Sequence, residues 1–275
     1  MTGLKTILLA GMAATAINAI AGEAVSSLKL LSIGNSFSWS AATYLPAVAK
    51  SAGCELVFEQ ASLGGWSLQG HWELAEKSEA DPTFQPYGDD RSGKFSLREK
   101  LESRDWDIVT IQQASHFSWQ PETFTPYAAK LAAYIHCYAP NAEFVLQQTW
   151  SYRPGEPRLE QWQLDSNGMY ERLTAGYVAT AGQLKLRLIP TGLAVQLVRL
   201  SAIGSYPELE IISADSFHLS KSGEYLQACV WFAFLFNRPA GEIRFRPAEL
   251  PADQARFLQK CAQAAIDAMP QHNAR

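Results

Sequence analysis

The chain has 275 residues, 47% hydrophobic and 18% charged, a make-up that excludes a disordered or low-complexity protein. That length suits one large α/β domain with ample core. A formal net charge of −4 argues against a nucleic-acid partner, which calls for a basic face.

Residues 1–24 carry one early charge, Lys5, then a mostly apolar run over 7–20 and small residues around Ala19, Ala21 and Gly22. This is the order of a secretory signal peptide, and the run is short for a membrane span. The expectation is therefore a leader over 1–24 and a single domain over 25–275. The mature protein would be secreted or periplasmic, with no stable membrane insertion after cleavage. A buried N-terminal helix is the alternative.

The first predicted strand contains Leu28, Leu30, Leu31 and Ile33 and stops at Gly34-Asn35-Ser36, where a polar, helix-opening segment begins. Helical spacing at Leu45, Val48 and Ala49 predicts a helix over 41–52, stopped at Gly53. Residues 55–60 alternate as a short strand that runs into Leu63-Gly64-Gly65-Trp66, a tight turn where backbone can approach a ligand. Residues 79–93, rich in Asp, Pro, Gly and Tyr, read as a surface insertion. Ser96 with Glu99 has the form of a capping box opening a helix to about 103.

The β-branched run over 107–112 predicts a buried strand leading into the polar, aromatic loop 113–119. A helix over 127–138 ends before Pro140. A strand over 143–149, a loop over 150–163, a helix over 169–184 and a fifth strand over 186–190 follow. Helices are then expected over 193–200, 219–236 and 253–269. Strands alternating five times with helices indicate a parallel sheet covered on both faces.

The chemistry concentrates at strand ends. Ser36 follows the first strand at what would be the carboxyl edge of the sheet, where open α/β folds place their sites. A serine there is a nucleophile if a histidine and a carboxylate reach it. Asp215 and His218 lie three apart just before a helix, within reach of each other if the turn is helical. Taken singly, Ser36 is as well explained as a helix cap, and the Asp-His pair as a cap beside a surface histidine. Cys54, Cys137, Cys229 and Cys261 are widely spaced, without a CxxC or Cys/His cluster, so no metal site is expected. Export would permit disulfides, but the pairing stays open and buried free thiols are as well supported. Glu73 and Glu76 are spaced as an ordinary solvated helix face rather than as a glycosidase pair. His71, His136 and His272 are expected to be structural or solvent-facing.

Taken together, Gly34-Asn35-Ser36, the Gly64-Gly65 turn, the Gln112-Gln113-Ala114-Ser115 loop and Asp215-Ser216-Phe217-His218 resemble the four blocks of the SGNH (GDSL-like) hydrolases. They are especially similar to a secreted bacterial branch with GNSFS at the first block. The resemblance covers essentially the whole mature chain. It implies a flavodoxin-like, three-layer α/β/α sandwich with five parallel strands in the order 2-1-3-4-5, and no cofactor or metal. It also implies Ser36 as nucleophile, His218 as base and acid, Asp215 as its orienting partner, and an oxyanion hole that includes the N–H groups of Ser36 and Gly65. Two positions depart from the pattern. Asn35 stands where aspartate is usual. The asparagine of the third block is missing, which leaves Gln113 or His116 as the remaining donor, with the constant amide donor Gln113 favoured.

Trp39, Trp66, Trp119, Trp150 and Tyr152 all fall in loops after strand ends. Trp66, Trp119 and Trp150 are the candidate substrate-binding rings, since flat apolar faces beside polar groups suit sugars. The implied function is hydrolysis of O-acyl, chiefly O-acetyl, esters on a small-molecule or glycan substrate. The alternatives are a lipid or thioester hydrolase, and a non-catalytic carbohydrate-binding protein on the same scaffold. Oligomeric state is not implied.

Overall fold

A computed structural model describes residues 24–89, 93–202 and 205–269. His272 and nearly all of the expected leader lie outside these residues.

The chain runs β1 (Ser27–Gly34), α1 (Ser36–Ser51), β2 (Glu55–Ser62), α2 (Leu68–Ala80), β3 (Tyr87–Asp89), β4 (Gly93–Phe95), α3 (Leu97–Glu102), β5 (Ile108–Ile111) and α4 (Tyr127–Tyr138). It continues through β6 (Glu143–Gln147), α5 (Pro157–Gln161), α6 (Ser166–Leu184), β7 (Arg187–Ile189), α7 (Thr191–Ser201), α8 (Lys221–Phe236) and α9 (Ala252–Asp267). The main sheet has the order β2-β1-β5-β6-β7, all neighbours parallel. Counting only its own strands, that is 2-1-3-4-5, as the resemblance implies.

Strand composition follows position. The central strand β5 is buried along its whole length, whereas the edge strand β2 is only partly covered. Inside the sheet, Thr110 Oγ1 donates to Ser32 Oγ at 3.0 Å, so the two hydroxyls in otherwise apolar central strands satisfy each other. Helices α1, α7, α8 and α9 pack as one group, and α2, α3 and α4 as another. Helix α8 is apolar nearly all round because it is buried nearly all round. From β1 the chain winds outward to β2, then back across to β5. The carboxyl ends of β1 and β5 therefore open a crevice at the reversal point, where α/β folds bind ligands.

Local chemistry explains most boundaries. Helix α4 begins and ends where periodicity and Pro140 place it, and Ser96 with Glu99 forms the expected capping box. Helix α1 starts five residues earlier than its apolar spacing suggests, because the Asn35 side chain caps it by accepting from Phe37 N–H at 3.0 Å. The 79–93 stretch is more than a surface insertion: α2 extends to Ala80, and β3 and β4 form a hairpin that buries Tyr87. The loop expected over 150–163 contains α5. All four cysteines are free, with Cys54, Cys229 and Cys261 buried and Cys137 exposed. Among the described residues no helix is long and apolar enough to cross a membrane. No cluster of three His, Cys, Asp or Glu side chains among them is placed to hold a metal ion.

Candidate active site

Ser36 is the first residue of α1, directly beyond the end of β1. The first N–H groups of a helix have no intrahelical acceptor and lie at its positive end, so developing negative charge on an atom held there is stabilised. The turn leading into it is tightly built. A Cβ at Gly34 would sit 2.3 Å from Ser38 Oγ and 3.1 Å from Gln112 Cγ, so only glycine fits.

A buried amide network fixes this turn. Asn35, 2% exposed, accepts from Phe37 N–H and from Gln112 Nε2, and donates from Nδ2 to Trp66 O at 2.9 Å. The Ser38 hydroxyl has Gln112 Oε1 and Gln147 Oε1 as acceptors at 2.9 and 3.2 Å. Phe37 O accepts from Gln147 Nε2 at 3.1 Å and Gln227 Nε2 at 2.9 Å. Asparagine at position 35 is therefore suited to its place: it uses both a donor and an acceptor, and a carboxylate could not donate to Trp66 O. Gln112, Gln147 and Gln227 are supporting residues that sequence reasoning missed. The signal for the first two was the Gln-Gln pairs, 112–113 and 147–148, ending two buried apolar strands; Gln227, inside α8, gave none.

His71 buttresses the same turn. Its ring is buried, with Nε2 3.0 Å from Gly34 O and Nδ1 2.7 Å from the Tyr87 hydroxyl. A neutral ring that donates from Nε2 and accepts at Nδ1 satisfies both contacts. Burial pulls its pKa down to about 4, against the opposing effect of the Gly34 bond. His136 is exposed on α4, and Glu73 and Glu76 are exposed on α2.

The structure brings Asp215 and His218 to Ser36. His218 Nε2 lies 2.8 Å from Ser36 Oγ, and Nδ1 lies 2.7 Å from Asp215 Oδ2. The connecting turn is not helical, however. Ser216 has φ +73°, and the loop is closed by an antiparallel bridge between Ile212 and Leu219, with Ser213 N–H donating to His218 O at 2.8 Å. Asp215 Oδ1 organises the loop by accepting from Ser213 Oγ, Phe217 N–H and His218 N–H at 2.7, 3.1 and 3.0 Å. Partial burial works to raise the Asp215 pKa, but these bonds and the one from the imidazole outweigh it. The carboxyl is held well below the usual carboxylate range. Asp215 thus stays ionised at neutral pH and can fix the imidazole tautomer that leaves Nε2 facing the hydroxyl.

Gly65 is exposed in the turn after β2, with φ +72° at its third position, a conformation that favours glycine. The turn closes with Trp66 N–H donating to Leu63 O at 3.1 Å, and Asn35 Nδ2 ties it to the base of α1. The favoured third-strand candidate must be corrected. Gln113 is 1% exposed; its Oε1 accepts from Leu68 N–H and Ala114 N–H, and its Nε2 donates to Thr123 O and Oγ1. Its amide is fully committed to holding the loop and has no proton to offer an oxyanion. His116 is half-buried, and among the described residues its ring nitrogens make no hydrogen bond. Burial, then the nearby Arg158 cation, lowers its pKa, which favours a neutral ring with one N–H to give.

The aromatic expectation also needs correction. Trp150 is fully buried, stacked on Phe37 at 4.1 Å with Nε1 donating to Phe217 O, so it is a structural ring and not a substrate contact. Tyr152 is also fully buried. Trp119 is partly buried and packs against Trp162 at 5.3 Å. Of the five rings, Trp39, 44% exposed, and Trp66, 39% exposed, face solvent, as does Phe117 beside His116; the edge of Trp39 approaches Gly64, and the Trp66 ring covers Gly70. Arg158 lies over both Tyr152 and Phe217, at 4.4 and 4.3 Å, clamping the segment after β6 to the histidine loop.

This architecture recurs among known proteins. A family model described as "Domain of unknown function (DUF4886)" matches residues 29–267. The crystal structure of a DUF4886 family protein from Bacteroides uniformis is 25% identical, with a TM-score of 0.77 over 88% of this chain and 95% of that one. A putative SGNH hydrolase from Slackia heliotrinireducens is 22% identical, with a TM-score of 0.56 over 76% of this chain and 99% of that one. An acetyl xylan esterase is 12% identical, with a TM-score of 0.53 over 76% and 100%. No curated protein matches the chain. The chain belongs to the DUF4886 family, and its fold is that of the SGNH hydrolases.

Proposed function

We propose that the protein is a serine ester hydrolase that removes O-acyl, chiefly O-acetyl, groups from carbohydrates through an acyl-enzyme on Ser36. The observation that carries this is the imidazole of His218, held between the Ser36 hydroxyl at 2.8 Å and the Asp215 carboxylate at 2.7 Å. A binding-only scaffold has no need of a base aligned in this way on a hydroxyl.

In the first half-reaction Ser36 Oγ attacks the ester carbonyl as His218 Nε2 takes its proton. The imidazolium, stabilised by ionised Asp215, then returns a proton to the leaving alcohol. In the second half, water activated by His218 attacks the acyl-serine and frees the acid. Negative charge on the carbonyl oxygen would be met by Ser36 N–H at the start of α1, by Gly65 N–H and by the His116 ring. Each such donor is typically worth roughly 3–4 kcal/mol in the transition state. Trp66 and Trp39 would receive the sugar on the solvent side of this hole, and their exposure supports a glycan rather than a buried acyl chain. The leader expected over 1–24 would place the activity outside the cytoplasm.

The test is hydrolysis of p-nitrophenyl acetate, p-nitrophenyl octanoate and acetylated xylo-oligosaccharides by wild type and Ser36→Ala. Acetate release from the oligosaccharides, abolished by the substitution, is the expected result. Preference for octanoate would favour a lipid hydrolase, and no wild-type activity above the variant on any ester would end the enzyme assignment.

A further inference from the structure

Outside the Ser36 cleft, a cavity of about 890 Å³ lies between α5, the start of α6, the second half of α7 and residues 206–212. Much of its wall is apolar, with Leu159, Leu164, Val198, Tyr206 and Ile211 among its residues. Against that wall stands one arginine in unusual circumstances. The Arg199 guanidinium donates from Nη1 to Ser151 Oγ at 2.6 Å and Ser166 Oγ at 3.1 Å, and from Nη2 to Ser151 O at 2.7 Å. All three acceptors are neutral, and among the described residues no carboxylate pairs with it. Burial draws its pKa down to about 10, which still leaves it charged at neutral pH.

Arg199 is partly buried, and a cation drawn out of water onto neutral acceptors alone is favourably placed to receive an anion. The carboxylates around the cavity are engaged elsewhere or face solvent. Glu156 holds Arg158, Glu210 lies toward Arg153, Asp165 caps α6 through Gly168 N–H, and Glu160 is exposed. Ser151 takes one bond from each terminal nitrogen and so occupies the end-on edge of the guanidinium. Of the five N–H groups, Nε–H and the outer Nη2–H remain, and these form the parallel side-on fork that matches the two oxygens of a carboxylate.

We propose that this cavity is a binding site for a monocarboxylate with an apolar body, its two oxygens on the side-on fork of Arg199 and its hydrocarbon against the apolar wall. The site abuts the histidine loop, because Arg153 N–H donates to Ser216 O at 2.8 Å and Ile211 O accepts from Ser220 N–H at 3.0 Å. It requires no chemistry from Ser36.

Isothermal titration at pH 7 with hexanoate, hexanamide and inorganic phosphate tests the proposal on the full mature chain. Hexanoate is expected to bind wild type and Ser36→Ala alike. Hexanamide and phosphate should bind at least about tenfold more weakly, since one lacks the charge and the other the apolar body. Arg199→Met should abolish binding. Arg199→Lys keeps the charge without the fork and should weaken binding about tenfold or more, and Ala202→Phe, which fills the cavity, should block it. The last two serve if Arg199→Met does not fold, as judged by its thermal transition. Several results would overturn the site: no hexanoate binding to wild type, equal binding by hexanamide or phosphate, undiminished binding by folded Arg199 variants, or loss of binding in Ser36→Ala.

Discussion

The two halves of the Ser36 site are built by opposite means. The serine turn rests on side chains from across the molecule: Asn35, Ser38, Gln112 and Gln147 are at most 2% exposed and linked by side-chain hydrogen bonds, buried Gln227 joins them by donating to Phe37 O, and His71 lies beneath Gly34. The Asp215–His218 loop is half in solvent and organised chiefly from within, by one carboxylate oxygen taking three bonds from residues within three positions of it, while Trp150 Nε1, Arg153 N–H and the Arg158 cation hold it from outside. The position of Ser36 is thus a property of the whole core, while the position of His218 is set chiefly by a short loop. Damage to the first should cost stability and activity together. Damage to the second should cost chiefly activity, with a smaller loss of stability where it removes the ionised Asp215 carboxylate.

The largest expected effect is at the base. His218→Ala should lower kcat/KM by at least about 10⁴, as removal of a triad member does elsewhere, with a thermal midpoint within about 2 °C of wild type. Asp215→Asn should reduce kcat by about 10³ at pH 7, because an amide can hold the wrong imidazole tautomer and offers no charge. A steady-state assay alongside a melt reads both outcomes, and a large loss of stability in His218→Ala would contradict a loop organised chiefly from within.

The serine half should respond the other way. His71 resists protonation in the native state, so the stability from burying it neutral is complete above about pH 6.5. It is lost as pH falls toward 4, by at most about 3 kcal/mol. Urea unfolding at pH 7 and pH 5 should show this slope, and His71→Gln should flatten it. Asn35→Ala removes the cap of α1 and strands Gln112 Nε2. It should destabilise by roughly 2–3 kcal/mol and slow turnover, measured by the same two assays. The smallest effect is expected at Trp66→Ala: stability within about 0.5 kcal/mol of wild type, and KM for an acetylated oligosaccharide raised a few-fold, worth about 1 kcal/mol.

What could be read from sequence divides along the same line. The strand–helix alternation, the 127–138 helix and the capping box at Ser96 depend on neighbours in the chain, and local pattern suffices for them. Ser36, Asp215 and His218 could be grouped from sequence only through the resemblance of the four blocks, since singly each is as well explained as a cap or a surface residue. Gln113 was misread because whether an amide is free depends on Leu68 and Thr123, which arrive from elsewhere in the chain. Trp150 was misread because a ring after a strand end can turn inward as readily as outward, and here Phe37 receives it. The helical turn on which the reach between Asp215 and His218 was conditioned does not form, because the Ile212–Leu219 bridge and the left-handed Ser216 set the loop and bring the two together another way. Arg199 gave no signal, since a lone cation in an amphipathic helix looks solvated until its surroundings are known.

The central claim is that Ser36 is a nucleophile armed by His218. Treatment with a fluorophosphonate followed by peptide mass spectrometry tests it most directly. One phosphonyl group should appear on the peptide containing Ser36 in wild type, with labelling greatly slowed in His218→Ala. A label confined to another residue, no label at all, or an undiminished rate in the histidine variant would contradict it.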